Sequence, residues 1–134
     1  IQSTESAKLA APLDIGIAFQ LGLLYYQHSS FTAAAGEFER AVSLNPQYSN
    51  ARYFLGLIYS RTGNTIAAIA QFDEIAKYNP DNQEVRKILD NLHLGKPALD
   101  SIAPPAPLPE QRNEPPVSEN QQSSSVPVPQ VQKK

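Results

Sequence analysis

The chain has 134 residues, 11 Lys and Arg against 13 Asp and Glu, a formal charge of −2 at neutral pH, and no Cys, Met or Trp. That length sets one domain as the expectation, and the charge leaves no basic footprint for a nucleic acid. Disulfides, thiol chemistry and thiolate metal sites are excluded, and no run of about 18 apolar residues is present to span a membrane.

Residues 1–13 form a short lead ending in Pro12 and Leu13, read as a frayed terminus or as a strap over the open face of the first hairpin. Asp14 is a good N-cap, and the first helix is expected to run to about His28. Ser29-Ser30 supply a turn and Phe31 to Leu44 the partner helix. A second hairpin pairs about Pro46–Thr62 with about Thr65–Tyr78, Gly63-Asn64 ending one helix and capping the next. Asn45-Pro46 and Asn79-Pro80 read as helix starts, with Asn capping and Pro at the first helical position, where no N–H is needed. A fifth helix follows from about Pro80 to Leu94, ended by Gly95 and barred from continuing by Pro97. Its apolar stripe is Val85, Ile88, Leu89 and Leu92, with Glu84, Lys87, Asp90 and Asn91 mostly away from it, as expected of a terminal capping helix.

One pattern is written twice within these elements. Leu21, Gly22, Tyr25, Ala34, Phe38 and Pro46 recur as Leu55, Gly56, Tyr59, Ala68, Phe72 and Pro80, every pair at the same offset. On a helix Leu21, Gly22 and Tyr25 share a face, and Gly22 lets a partner helix come close enough for Ala34 and Phe38 to fill the space. A 34-residue period with this motif resembles the tetratricopeptide repeat (TPR) family over roughly Asp14 to Gly95. Ala18 and Arg52 stand where that family carries a large aromatic residue. The resemblance implies an all-α fold: two helical hairpins and a C-terminal capping helix at 14–95, between the 1–13 lead and an extended Pro-rich arm at 96–134.

The arm holds nine of the twelve Pro residues and none of the eleven Phe and Tyr, so it cannot build a core of its own. Its runs Pro104-Pro105-Ala106-Pro107-Leu108-Pro109 and Val126-Pro127-Val128-Pro129 favour polyproline II. Ser101, Ser118, Ser123, Ser124 and Ser125 sit among prolines, a composition also found in O-glycosylated stalks.

No catalytic, cofactor-binding or metal-binding constellation stands out: His28 and His93 are far apart and no phosphate-binding Gly loop is present. An enzyme is not expected. The resemblance implies instead that ligands lie in a concave groove lined by the first helix of each hairpin, here Phe19, Leu23, Tyr26, Asn50, Tyr53, Leu57, Lys87 and Asn91. Chaperone-binding members clamp a terminal carboxylate with Lys and Asn on that face; Phe19, Tyr53, Leu23 and Leu57 replace those groups and argue against that use. An aromatic groove suits a polyproline segment, so Phe19, Tyr26 and Tyr53 are expected either to receive a Pro-rich strand or simply to pack against neighbouring helices. The expected function is a non-enzymatic protein-interaction and scaffolding module, its partners being proteins, peptides or other copies of itself, with no nucleic acid. The alternatives are a subunit of a secreted, O-glycosylated fibre or surface assembly linked through the lead or the arm, and the soluble tail of a larger envelope protein. The absence of an initiator Met and of Cys favours an extracellular or cell-envelope location.

Overall fold

The structure is a computed structural model that describes residues 14–103 and 106–119. The expectations for the 1–13 lead and for Ser123, Ser124 and Ser125 lie outside the described residues. Five α-helices and one short 3-10 turn make up the regular structure, with no strand among the described residues. They are α1 (Ile15–Gln27), α2 (Phe31–Leu44), α3 (Ser49–Arg61), α4 (Thr65–Tyr78) and α5 (Gln83–His93), followed by the turn Pro109–Gln111. Each helix packs on its neighbour in sequence, most extensively within the pairs α1–α2 and α3–α4.

The hairpins are built as the repeated glycines require. Gly22 and Gly56 are buried on α1 and α3, and the rings of Phe38 and Phe72 lie directly over them, both wholly buried. Phe54 joins the two repeats: its ring stacks on Phe38 at 5.7 Å between centroids and meets Tyr26 and Tyr53 edge-on at 5.4 and 5.5 Å. Val85, Ile88 and Leu92 of α5 close the core at its C-terminal end. The turns repeat as well. Ser29 and Gly63, one repeat apart, both adopt positive φ (62° and 88°) between the helices of their hairpins.

Three of the helices are capped by their own side chains: Asp14 accepts from Ile17 N, Asn64 from Ala67 N, and Asn82 from Val85 N. The Asn-Pro pairs, however, do not start helices. Asn45 ends α2 and its side-chain oxygen accepts from Gln47 N, so Pro46 sits in a turn and α3 begins at Ser49. Asn79 likewise ends α4, though its Nδ2 donates to Ser49 Oγ and Ile75 O, and α5 begins at Gln83. The linkers are held by two arginines at equivalent places in the repeat: Arg52 Nε donates to Pro46 O at 2.7 Å, and Arg86 Nε to Pro80 O at 3.0 Å. Arg52 also donates to Gln71 Oε1 at 2.9 Å. The position that lacks the family's large aromatic residue is thus occupied by a side chain that ties the linker to the next helix.

Candidate functional site

The groove is built by one face of α1, α3 and α5, and the Pro-rich arm lies across it. After α5 the backbone turns at Gly95 (φ 77°), and Asn91, 1% exposed, donates from Nδ2 to Ala98 O and Asp100 O, both at 2.9 Å. A buried amide that satisfies two carbonyls of an irregular segment fixes its path, because neither carbonyl has a helix or strand partner. Tyr26, Leu57, Ser60, Leu92, Ala98 and Leu99 are among the residues lining a cleft of about 370 Å³ at this end.

Further along, Arg112 Nη1 donates to both carboxylate oxygens of Glu84 at 2.9 and 3.1 Å, while its Nε donates to Pro107 O at 3.0 Å. Glu84 is fixed from below by Tyr53, whose hydroxyl donates to its carboxylate. Burial, then that hydrogen bond, drives the Tyr53 phenol far above its ordinary value near 10, so it stays a neutral donor. Asn50, 3% exposed, then pairs with one residue of the arm. Its Nδ2 donates to Val117 O at 2.9 Å and its Oδ1 accepts from Val117 N at 3.0 Å. Both backbone groups of Val117 are satisfied, which allows the residue to be 3% exposed at no polar cost. Glu119 completes the attachment: its carboxylate accepts from Ser49 N (3.1 Å), Asn50 N (2.7 Å) and Asn50 Nδ2 (2.7 Å). The two backbone donors are unsatisfied N–H groups at the start of α3, where the helix dipole favours an anion. Tyr48, half-buried beside it, is pushed up to about 12 by burial first and by the Glu119 charge second.

The residues assigned to the groove from sequence divide into three groups. Asn50 and Asn91 bond the arm directly. Tyr26, Tyr53 and Leu57 are buried, and Phe19 and Leu23 are half-buried. Phe19 packs on Phe38, Tyr48 and Phe54 at 5.2 to 6.1 Å, and Tyr53 on Phe54 and Phe72, so these aromatics engage one another while polar groups carry the arm's hydrogen bonds. Lys87 stands apart: it is exposed and lines a shallow depression with Pro80, Arg86 and His93 on another side of α5. Ser101 and Ser118 are exposed. The arm residues Arg112, Val117 and Glu119, and the capping role of the α3 start, were not singled out from sequence. The available signal was that Tyr48 cannot cap a helix, whereas Asn82, at the same place in the next repeat, does.

The fold defines a helical-hairpin repeat protein with one occupied groove. The tetratricopeptide repeat family model matches residues 19–83, which supports the repeats read in that stretch. No curated protein matches the chain. Repeats of this family generally mediate protein–protein interaction or scaffolding. Among the described residues, no cluster of His, Asp and Glu is placed to hold a metal, and no helix is long and apolar enough to cross a membrane.

Proposed function

We propose that this chain is a non-enzymatic interaction module whose concave groove takes an extended protein segment, and that the Pro-rich arm is its resident intramolecular occupant. One observation carries the reading: the buried Asn50 amide pairs with the N–H and C=O of a single arm residue, Val117. Such pairing satisfies the main chain of any extended segment, which is what a peptide groove must do before side chains can confer choice.

The test uses the full chain carrying Arg112→Ala, Val117→Ala and Glu119→Ala, which weakens the arm without touching the helices. A fluorescent peptide with the sequence of residues 106–119 is expected to bind it saturably, and binding is expected to be lost when Asn50→Ala is added. If no peptide binds the arm-weakened chain, the reading is wrong.

The same contacts support a second reading, in which the arm of one copy occupies the groove of another and links them. Covalent attachment holds the chain's own arm near its groove at an effective concentration on the order of mM. Arm exchange between copies therefore belongs to crowded or pre-assembled conditions, and light-scattering mass across a concentration series reports it.

A further inference from the structure

Three readers of different chemistry lie in a fixed order along the groove, and the arm presents one residue to each. The start of α3 reads an anion. Its N-cap position is Tyr48, which makes no side-chain cap, and Ser49 N and Asn50 N are instead satisfied by the Glu119 carboxylate. The equivalent start of α5, one repeat on, is closed by Asn82 and carries an acid, Glu84, in its first turn. That second helix start therefore reads a cation, and Arg112 occupies it. Between them Asn50 fixes the backbone of Val117, whose side chain is buried. Asn82 Nδ2 lies 3.5 Å from Pro116 O, at the outer limit of a hydrogen bond. Adjacent repeats thus offer opposite charges to one extended ligand.

We infer that the groove selects, from another protein, an extended segment bearing a basic residue, an apolar residue five positions later and an acidic residue two positions after that, in the direction Arg112–Val117–Glu119. This rests on the peptide-groove reading and adds sequence choice and polarity to it. Polarity follows from charge: a segment lying the other way would set its acid against Glu84 and its base against the positive end of α3. The acidic position carries the most choice. Three N–H groups converge on Glu119, and hydrogen bonds to an ionised acceptor are about twice as strong as those between neutral groups. Prolines between the anchors are tolerated, since between Arg112 and Glu119 the groove's asparagines bond only main-chain atoms, those of Val117 and Pro116 O.

The experiment uses the same full chain with the arm weakened at Arg112, Val117 and Glu119, and C-terminally amidated peptides so that no terminal carboxylate competes. Four probes are titrated: the sequence of residues 106–119, the same with Glu119→Gln, the same with Arg112→Gln, and a charge-swapped peptide with Arg112→Glu and Glu119→Arg. The Glu119→Gln peptide is expected to bind about tenfold or more weakly, as for loss of a charged hydrogen-bond acceptor. The charge-swapped peptide is expected to fall below detection. Glu84→Gln in the protein is expected to weaken the parent peptide while leaving the Arg112→Gln peptide unchanged. Binding of all four peptides within twofold would overturn the selection while leaving the groove as a peptide site. Failure of every peptide to bind would remove the groove reading as well.

Discussion

Replacing Gly56 by Ala probes the packing inside the hairpin, because two known effects oppose each other there. Alanine gains about 1 kcal/mol over glycine in a helix interior. Against that, a Cβ on Gly56 would stand 2.6 Å from Phe72 Cε2 and 3.0 Å from its Cδ2 and Cζ. Carbon atoms rest at about 3.5–4.0 Å, so roughly 1 Å of separation must be found. Phe72 is wholly buried and meets Tyr53 edge-on at 5.5 Å, so its ring has no free space to enter. The hairpin must open instead, and overpacking of this kind costs about 1–3 kcal/mol or somewhat more. The net expectation is a loss of about 1–2 kcal/mol, a fall in Tm of roughly 5–15 °C for a domain of this size. Gly36, exposed on α2 with nothing within 4 Å of where a Cβ would stand, is the control: Ala there should raise stability by about 0.5–1 kcal/mol. Thermal and urea unfolding of the two variants, followed by far-ultraviolet circular dichroism, gives the comparison. A Gly56→Ala chain as stable as the parent would show that the Phe72 ring does not limit how closely the helices approach. Phe72→Leu should partly rescue a destabilised one.

Further tests concern the arm and its anchors. Asn91→Ala removes two hydrogen bonds of a buried amide and should cost about 1–3 kcal/mol, with faster hydrogen exchange in Ala103 and Ala106, which follow the anchored segment; unchanged exchange would count against the anchor. Asn91→Asp should be worse, since a carboxylate would face the Ala98 and Asp100 carbonyls without a donor. Arg112→Ala should raise exchange at Val117 N while leaving the α2 and α4 amides protected, and a uniform increase along the chain would mean global loosening instead. Tyr26 and Tyr48 are each pushed up to about 12, chiefly by burial, so the unfolded chain gives up these protons first. Their contribution to stability is complete below about pH 10 and is lost as pH rises through about 12. Absorbance at 295 nm should show a late tyrosinate phase, its Tyr48 part shifted down by Glu119→Gln; a single phase near 10 for all six tyrosines would contradict this.

The repeat carried the fold because helix pairing is local and periodic: Gly22 and Gly56 state where two helices touch, and Phe38 and Phe72 state what touches them. Side-chain caps were legible for the same reason, as at Asp14 and Asn64. Asn45-Pro46 misled because Asn stabilises a turn and a helix start through the same kind of bond to a following N–H; here the turn at Gln47 takes it. The arm was legible only in part. Its composition describes a segment with no core of its own, yet Val117 and Ala98 are buried in the core of the helical array. Pairings such as Asn50 with Val117, 67 positions apart, leave no periodic trace in one sequence.

The two ends of the arm's attachment are chemically unlike and spatially separate: Asn91 holds Ala98 and Asp100 next to α5, while the α3 start holds Glu119. If the groove takes other segments as proposed above, an incoming one need not wait for the whole arm to leave. It can seize the distal contacts first and advance toward Asn91 as the arm peels back, in the manner of a toehold exchange. The core groups that the arm covers are then uncovered only a few at a time, and a short array never has to survive bare. Partner exchange through such a path would be set by the strength of the distal contacts at Val117 and Glu119 rather than by that of the whole attachment.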